Sequence, residues 1–218
     1  MAGPVEPEYR GARRRLVEAL QDKGIRDLAV LRAIDTVPRH QFVPPSVRHR
    51  AYEDSALPIG NSQTISQPYV HARAIEQLML TGKERVLEIG TGSAYQTALI
   101  AELAAQVFSV ERYRELLDRA RQLLQQANVR NVSLSLGDGT LGWREYAPYD
   151  GIVVSAGAPS VPTALESQLA EGGRLLIPIG DKEEQMLTLF TKRGERLERR
   201  DITPVRFVPL IGAQGWPS

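Results

Sequence analysis

The stretch RVLEIGTGSAY (residues 85–95) decides the fold. Its first half, Arg85–Gly90, is a short apolar run of the kind buried in a parallel strand, and two glycines close it at once. Helix-forming residues follow over Tyr95–Ala105, so strand, tight turn and helix come in immediate succession. Downstream the alternation repeats. Val107–Glu111 reads as a strand, Arg112–Asn128 as a helix, and Val132–Asp138, Tyr149–Ser155 and Arg174–Ile179 as further strands, with a helix near Pro162–Ala170. Such alternation predicts an α/β fold, a doubly wound, mostly parallel sheet covered on both faces. Beyond Gly180 the rhythm stops, and Gln185–Thr191 and Val205–Leu210 read as strands near a sheet edge.

Upstream of residue 82 the pattern is different. Residues 1–8 carry two prolines and two acids and read as a loose arm. Tyr9–Val37 repeats apolar residues at helical spacing with a break at Gly24, and 38–65 is an extended, polar, proline-rich connection. Pro68 suits a helix first turn, and the apolar stripe behind it runs to about Leu80. The expected organisation is therefore 1–81, a helical N-terminal addition with a loop, packed on 82–218, a ligand-binding α/β domain, as one compact unit.

Composition narrows the chemistry. The 218 residues carry 27 basic and 26 acidic side chains, a net charge of +1, which supplies no field for gathering nucleic acid or coating a membrane. No cysteine is present, so disulfides, thiolate metal sites and thiol nucleophiles are excluded. His40, His49 and His71 are too dispersed for a metal site. No apolar stretch approaches the roughly 20 residues that span a bilayer. The expectation is a metal-free cytoplasmic monomer without nucleic-acid or membrane partners.

In an open parallel sheet, ligands bind beyond the carboxyl ends of the strands. Gly90 and Gly92 end the first strand, though two glycines also fit a plain strand–helix turn. Glu111 ends the second strand and can accept the hydroxyls of a ribose. Asp138-Gly139 follows the third, where it fits either the cleft or a turn. Tyr95 occupies the place of the third glycine of a dinucleotide fingerprint, and no phosphate-binding lysine is present. The combination favours a cofactor with a ribose and a base but no phosphate. S-adenosylmethionine fits, with Glu88 either near its ammonium end or capping the loop.

These residues, together with IGNSQTISQP (59–68), VPRHQFV (37–43), Gly137-Asp-Gly139, Gly142-Trp143 and Phe207-Val-Pro-Leu210, make the chain resemble the protein-L-isoaspartate O-methyltransferases, which are S-adenosylmethionine-dependent enzymes of Rossmann-like fold. The likeness runs from about Leu28 to Trp216. It implies methyl transfer to the free α-carboxylate of L-isoaspartyl residues in damaged proteins and peptides, repair through a succinimide, and S-adenosyl-L-homocysteine as product. By the same resemblance, Ser66 is the active serine and Thr64 lies between substrate and cofactor. Gly90, Gly92, Glu111, Asp138, Gly139 and His71 face the cofactor, and Val208, Pro209 and Leu210 bracket the peptide. From spacing alone, Ser66 equally suits a cap for the helix at Pro68, and His71 an ordinary helix face. Two positions depart from the family pattern: Ser62 and Ala94 stand where glycine is common.

Overall fold

A computed structural model describes residues 7–217 and places the strand opened at Arg85 inside a seven-stranded sheet. The elements are α1 (Pro7–Asp22), α2 (Leu28–Thr36), β1 (Leu57–Gly60), β2 (Gln63–Ile65), α3 (Pro68–Leu78), β3 (Arg85–Ile89), α4 (Tyr95–Ala101), β4 (Gln106–Glu111), α5 (Arg114–Gln126), β5 (Val132–Leu136), β6 (Tyr149–Val154), α6 (Thr163–Ser167), β7 (Leu169–Gly180), β8 (Gln185–Arg193) and β9 (Arg196–Val205). Sheet order is β5-β4-β3-β6-β7-β8-β9. The first five of these strands pair in parallel, and β8 and β9 add an antiparallel edge. The chain winds outward from β3 through β4 to β5 and then returns to β6 on the other side of β3. The loops after β3 and β6 therefore diverge and open a crevice between them.

Period-two alternation builds both cores. Val86, Val107, Val153 and Leu176 join one buried cluster with residues of α1 to α5, whereas Leu87, Phe108, Ile152 and Leu175 face a second cluster. Trp143 belongs to the second, with its ring 5.9 Å from Phe108 and 5.1 Å from Tyr146. The first cluster runs without a break from Leu16 in α1 to Leu189 in β8, so the N-terminal helices share the core of the sheet. Their placement is fixed by caps. Asp27 accepts from the Ala29 and Val30 amides at the start of α2, and Glu76 of α3 accepts from the amides of Arg26 and Asp27.

Several boundaries differ from the sequence reading. Residues 1–6 of the expected arm lie outside the described residues, and Pro7 and Glu8 already belong to α1. The connection 38–65 contains two 3-10 turns and the β1–β2 hairpin. The second edge strand is Arg196–Val205, not Val205–Leu210. Alternating Arg and Glu hid the former, a strand exposed over most of its length. The latter makes only a bridge from Pro209 to Gly157, since Pro209 cannot donate to a ladder.

Both family departures sit in left-handed backbone. Ala94 has φ +66 and no exposure. A left-handed non-glycine residue costs about 1–2 kcal/mol. Burying its methyl recovers about 0.8, and avoiding a glycine's entropy about 0.5–1. The terms offset, so alanine is tolerated there. Asn61 and Ser62, with φ +50 and +55, form the turn of the β1–β2 hairpin. Ser62 is exposed, so burial does not compensate its strain. Ser62→Gly is expected to stabilise the protein by about 0.5–1 kcal/mol, measurable as a higher urea midpoint at unchanged slope.

Candidate active site

A cavity of about 1190 Å³ opens over the carboxyl ends of β3, β4 and β6. Its wall includes Thr64 and Ser66, His71 and Gln96, Gly90 and Gly92, Glu111, Gly139, Ser155 and the segment 206–211. One concavity thus joins a nucleoside-sized pocket to the hairpin and the C-terminal segment.

The glycine loop is tightly made. Gly90 has φ +93 and its amide donates to the Val110 carbonyl at 2.8 Å. Gly92 has φ +52, and a Cβ there would come within 3.5 Å of Ile59 on the hairpin. Glu111 holds the loop from below. Its Oε2 accepts from the Gly92 amide at 2.9 Å, and its Oε1 from the amides of Arg112 and Tyr113 at 2.8 and 2.9 Å. The acid expected for a ribose is therefore aimed at the cavity and braced by backbone.

Glu88 stands elsewhere. It is fully buried, is not on the cavity wall, and faces α4, because alternation puts it on the same side as Val86. Thr97 Oγ1 and Ser109 Oγ donate to its Oε2 at 2.5 and 2.7 Å, and Gln96 Nε2 donates to Oε1 at 3.1 Å. Ser109 is the register partner of Glu88 across β3 and β4 and shares a 2.6 Å bond with Thr91 of the glycine loop. Burial pushes the Glu88 carboxyl up to about 7, the three donors pull it down, and Glu111 raises it further. Direct contact with a cofactor is thereby replaced by support of the loop.

Asp138 is also off the cavity wall. Its Oδ1 accepts from the Thr140 amide and hydroxyl at 2.9 and 2.7 Å, and its Oδ2 from the Ala213 amide at 2.7 Å. Burial would raise this carboxyl, but the amide of Ala213 and the two Thr140 donors hold it below its ordinary range. Asp138 ties down the C-terminal segment, while its neighbour Gly139 faces the cavity.

Ser66 and Thr64 flank the cavity at the end of β2. The helix that Ser66 was suited to cap is served otherwise: Gln67 is the N-cap residue without a side-chain bond, and Asp54 accepts from the Tyr69 amide at 2.8 Å. Arg39, which sequence reasoning passed over as a loop residue, is completely buried behind the serine. Its Nη2 donates to the Ser66 carbonyl and its Nε to the Ala51 carbonyl, both at 2.8 Å, and it lies 4.9 Å from the Tyr95 ring centroid. Burial lowers its pKa to about 10, so it remains charged at neutral pH.

His71 and Gln96 complete the wall. His71 Nδ1 is 2.9 Å from Gln96 Oε1, and Gln96 Nε2 also donates to Ser155 Oγ at 2.8 Å. Burial and repulsion from Arg39 lower the imidazole pKa to about 3, against the raising influence of Gln96 and the Ser66 carbonyl. Gln96 was missed. Its one sequence signal is a polar pair, Gln96-Thr97, in the first turn of an otherwise apolar helix. Among the described residues no group of three or more His, Cys, Asp or Glu side chains could hold a metal, and no helix is long and apolar enough to cross a membrane.

The cavity's residues fit an S-adenosylmethionine-type ligand. Left-handed glycines let a backbone approach it, a carboxylate stands at the second strand end, and one buried imidazole nitrogen is unpaired among the described residues. Comparison with known proteins agrees. The family described as Protein-L-isoaspartate(D-aspartate) O-methyltransferase matches residues 11–215. A protein-L-isoaspartate O-methyltransferase of Dictyoglomus thermophilum is 52% identical over 210 residues, 96% of both chains. One from an Anaeromyxobacter strain is 55% identical over 203 residues, covering 92% of this chain and 96% of that protein. A solved protein-L-isoaspartate O-methyltransferase superimposes with TM-score 0.85 at 32% identity, over 93% of this chain and 67% of that one. Another, from Plasmodium falciparum in complex with S-adenosyl-L-homocysteine, has TM-score 0.80 at 25% identity, over 91% and 98%.

Because the folded state raises the Glu88 pKa from 4.5 to about 7, it binds that proton more tightly than the unfolded chain does. This contribution to stability is complete below pH 4.5 and is lost as pH rises to about 7. Glu88→Gln, a neutral isostere, should gain stability relative to the parent across that window. Parallel denaturation curves at pH 4.5 and 8 check it, and a constant difference would contradict the burial of this acid.

Proposed function

The chain belongs to the protein-L-isoaspartate(D-aspartate) O-methyltransferase family, and from that membership we propose how its cavity performs the methylation. The protein transfers a methyl group from S-adenosylmethionine to the free α-carboxylate of L-isoaspartyl residues in proteins, which opens their repair through a succinimide. The observation that carries the proposed division of labour is that one cavity presents the glycine loop and Glu111 on one side and the hydroxyls of Thr64 and Ser66 on the other.

S-adenosylmethionine, when bound, supplies an electrophilic methyl group on a sulfonium and departs as S-adenosyl-L-homocysteine. Gly90, Gly92, Glu111, Gly139 and His71 would hold it. The substrate carboxylate is ionised at neutral pH and needs no general base. As its oxygen bonds to the methyl carbon, the carbon–sulfur pair leaves with sulfur and negative charge on the carboxylate disperses. A cation clamped on that oxygen would stabilise the ground state more than the transition state. The buried cation behind Ser66, Arg39, donates to two carbonyls and lies off the cavity wall. Neutral donors, Ser66 and Thr64, are left to orient the carboxylate, and alignment at about 3–3.5 Å supplies most of the advantage.

Val208, Pro209 and Leu210 read as the peptide-bracketing segment, with a polarity the structure sharpens. Gly157 already takes the Val208 carbonyl and the Leu210 amide at 2.8 and 2.7 Å, and Gln185 Oε1 accepts from the Phe207 amide at 2.7 Å. On the opposite side of this extended segment stand the Phe207 and Pro209 carbonyls, both acceptors. The strip would grip a substrate through the substrate's own amides and read side chains loosely.

Kinetics on matched peptides test the function. Methylation should be confined to the isoaspartyl form, and comparable kcat/KM for the aspartyl twin would refute it. Ser66→Ala should lower kcat by about 10–100-fold, with S-adenosyl-L-homocysteine affinity by calorimetry and thermal stability nearly unchanged. N-methylation of the amide flanking the isoaspartyl residue should reduce kcat/KM by roughly 2–10-fold. An equal rate would remove the strip from substrate binding.

A further inference from the structure

Gln96 has no freedom of orientation. Its amide nitrogen donates to Glu88 Oε1 and to Ser155 Oγ at 3.1 and 2.8 Å, which commits both of its N–H groups. Glu88 cannot turn to release it, because its other oxygen is held by Thr97 and Ser109. The Gln96 carbonyl must then face His71 Nδ1, 2.9 Å away. An acceptor opposite Nδ1 requires the ring proton to be there, so Nε2 carries the lone pair. That nitrogen is buried and has no hydrogen-bond partner among the described residues. The Ser66 carbonyl, whose influence raises the ring's pKa, is an acceptor and could not satisfy a nitrogen that carries a lone pair.

What Nε2 faces follows from the order of the strands. Glu111 ends β4 and Gly139 follows β5, so a ribose and base held by them would lie on that side of Gly90. The amino-acid end of the same ligand would then extend the other way, toward β6, where Ser155, Gln96 and His71 line the cavity. Of the two charged groups at that end, the carboxylate only accepts and the ammonium only donates. We propose that Gln96, set by Glu88, is a positioning residue that holds His71 in the Nδ1–H tautomer and so presents Nε2 as the acceptor for the cofactor's ammonium group. Burial and the Arg39 charge keep the ring neutral, which spares that ammonium a neighbouring cation. This assignment rests on the reading that His71 is a wall of the cofactor site.

Nitrogen-15 NMR of the histidines in the full-length protein with S-adenosyl-L-homocysteine should show His71 protonated at Nδ1. An Nε2–H tautomer in the parent enzyme would overturn the proposal whether or not any variant folds. Gln96→Met, similar in volume but without donors, should abolish the tautomer preference. It should weaken S-adenosyl-L-homocysteine binding by about tenfold yet leave 5′-methylthioadenosine, which lacks the amino-acid portion, bound as before. Equal losses for both ligands, or none, would overturn the role of Gln96. His71→Ala separates the two layers of inference. If it leaves S-adenosyl-L-homocysteine affinity unchanged, the placement of His71 against the cofactor is wrong and the proposal falls with it. If it weakens that affinity while Gln96→Met does not, only the positioning role is lost.

Discussion

A carboxylate buried under the glycine loop is the constraint on which the site depends. Removing Glu88 from water is costly unless its oxygens are hydrogen-bonded, and the donors that satisfy it come from two other elements. Ser109 comes from β4, and Gln96 and Thr97 from the first turn of α4. The glycine loop on the cavity wall is therefore anchored at its strand, at the neighbouring strand and at the helix that follows. Through Thr91 it is anchored once more from within. A loop held this way binds without paying much to become ordered.

Arg39 does for the substrate side what Glu88 does for the cofactor side. Its fork bridges Ala51 and Ser66, and its face lies on Tyr95, next to the left-handed Ala94 that starts α4. The N-terminal addition, the serine-bearing hairpin and the glycine loop consequently meet around one planar cation. Lysine could not reproduce this, having one point of charge and no flat face. Burial first, and then the same guanidinium, keep His71 neutral, so the two halves of the site are coupled electrostatically as well as sterically. These arrangements suit a reaction that asks for alignment more than for acid–base chemistry.

Much of this was legible in the chain. Apolar, β-branched runs bounded by glycines determine β3, β4 and β6, and their alternation with helices determines the α/β winding, because a strand buried on both faces must be apolar throughout. Glycines at 90 and 92 mark a close backbone approach, and the resemblance carried by QTISQP and FVPL names the chemistry. The edge was less legible. β9 is largely polar because it is exposed, and only pairing with β8 makes it a strand. The mostly apolar 205–210 looked more like a strand and is not one beyond Val205, since Pro209 cannot donate to a ladder.

Side-chain roles divided along the same line. Residue type and strand position were enough to place Glu111 and Gly139 on one concave wall, because a strand end's location follows from local pattern and winding order, whereas Thr64 and Ser66 were placed there by the resemblance. Whether an acid at such an end faces ligand or interior depends on what packs over it. Only the tertiary structure put Glu88 beneath α4 and turned Asp138 to Ala213, and only chain closure across 27 positions brought Arg39 to the Ser66 carbonyl. Short-range periodicity encodes which face a residue occupies. What covers that face is decided by contacts between segments far apart in the chain, which no local pattern records.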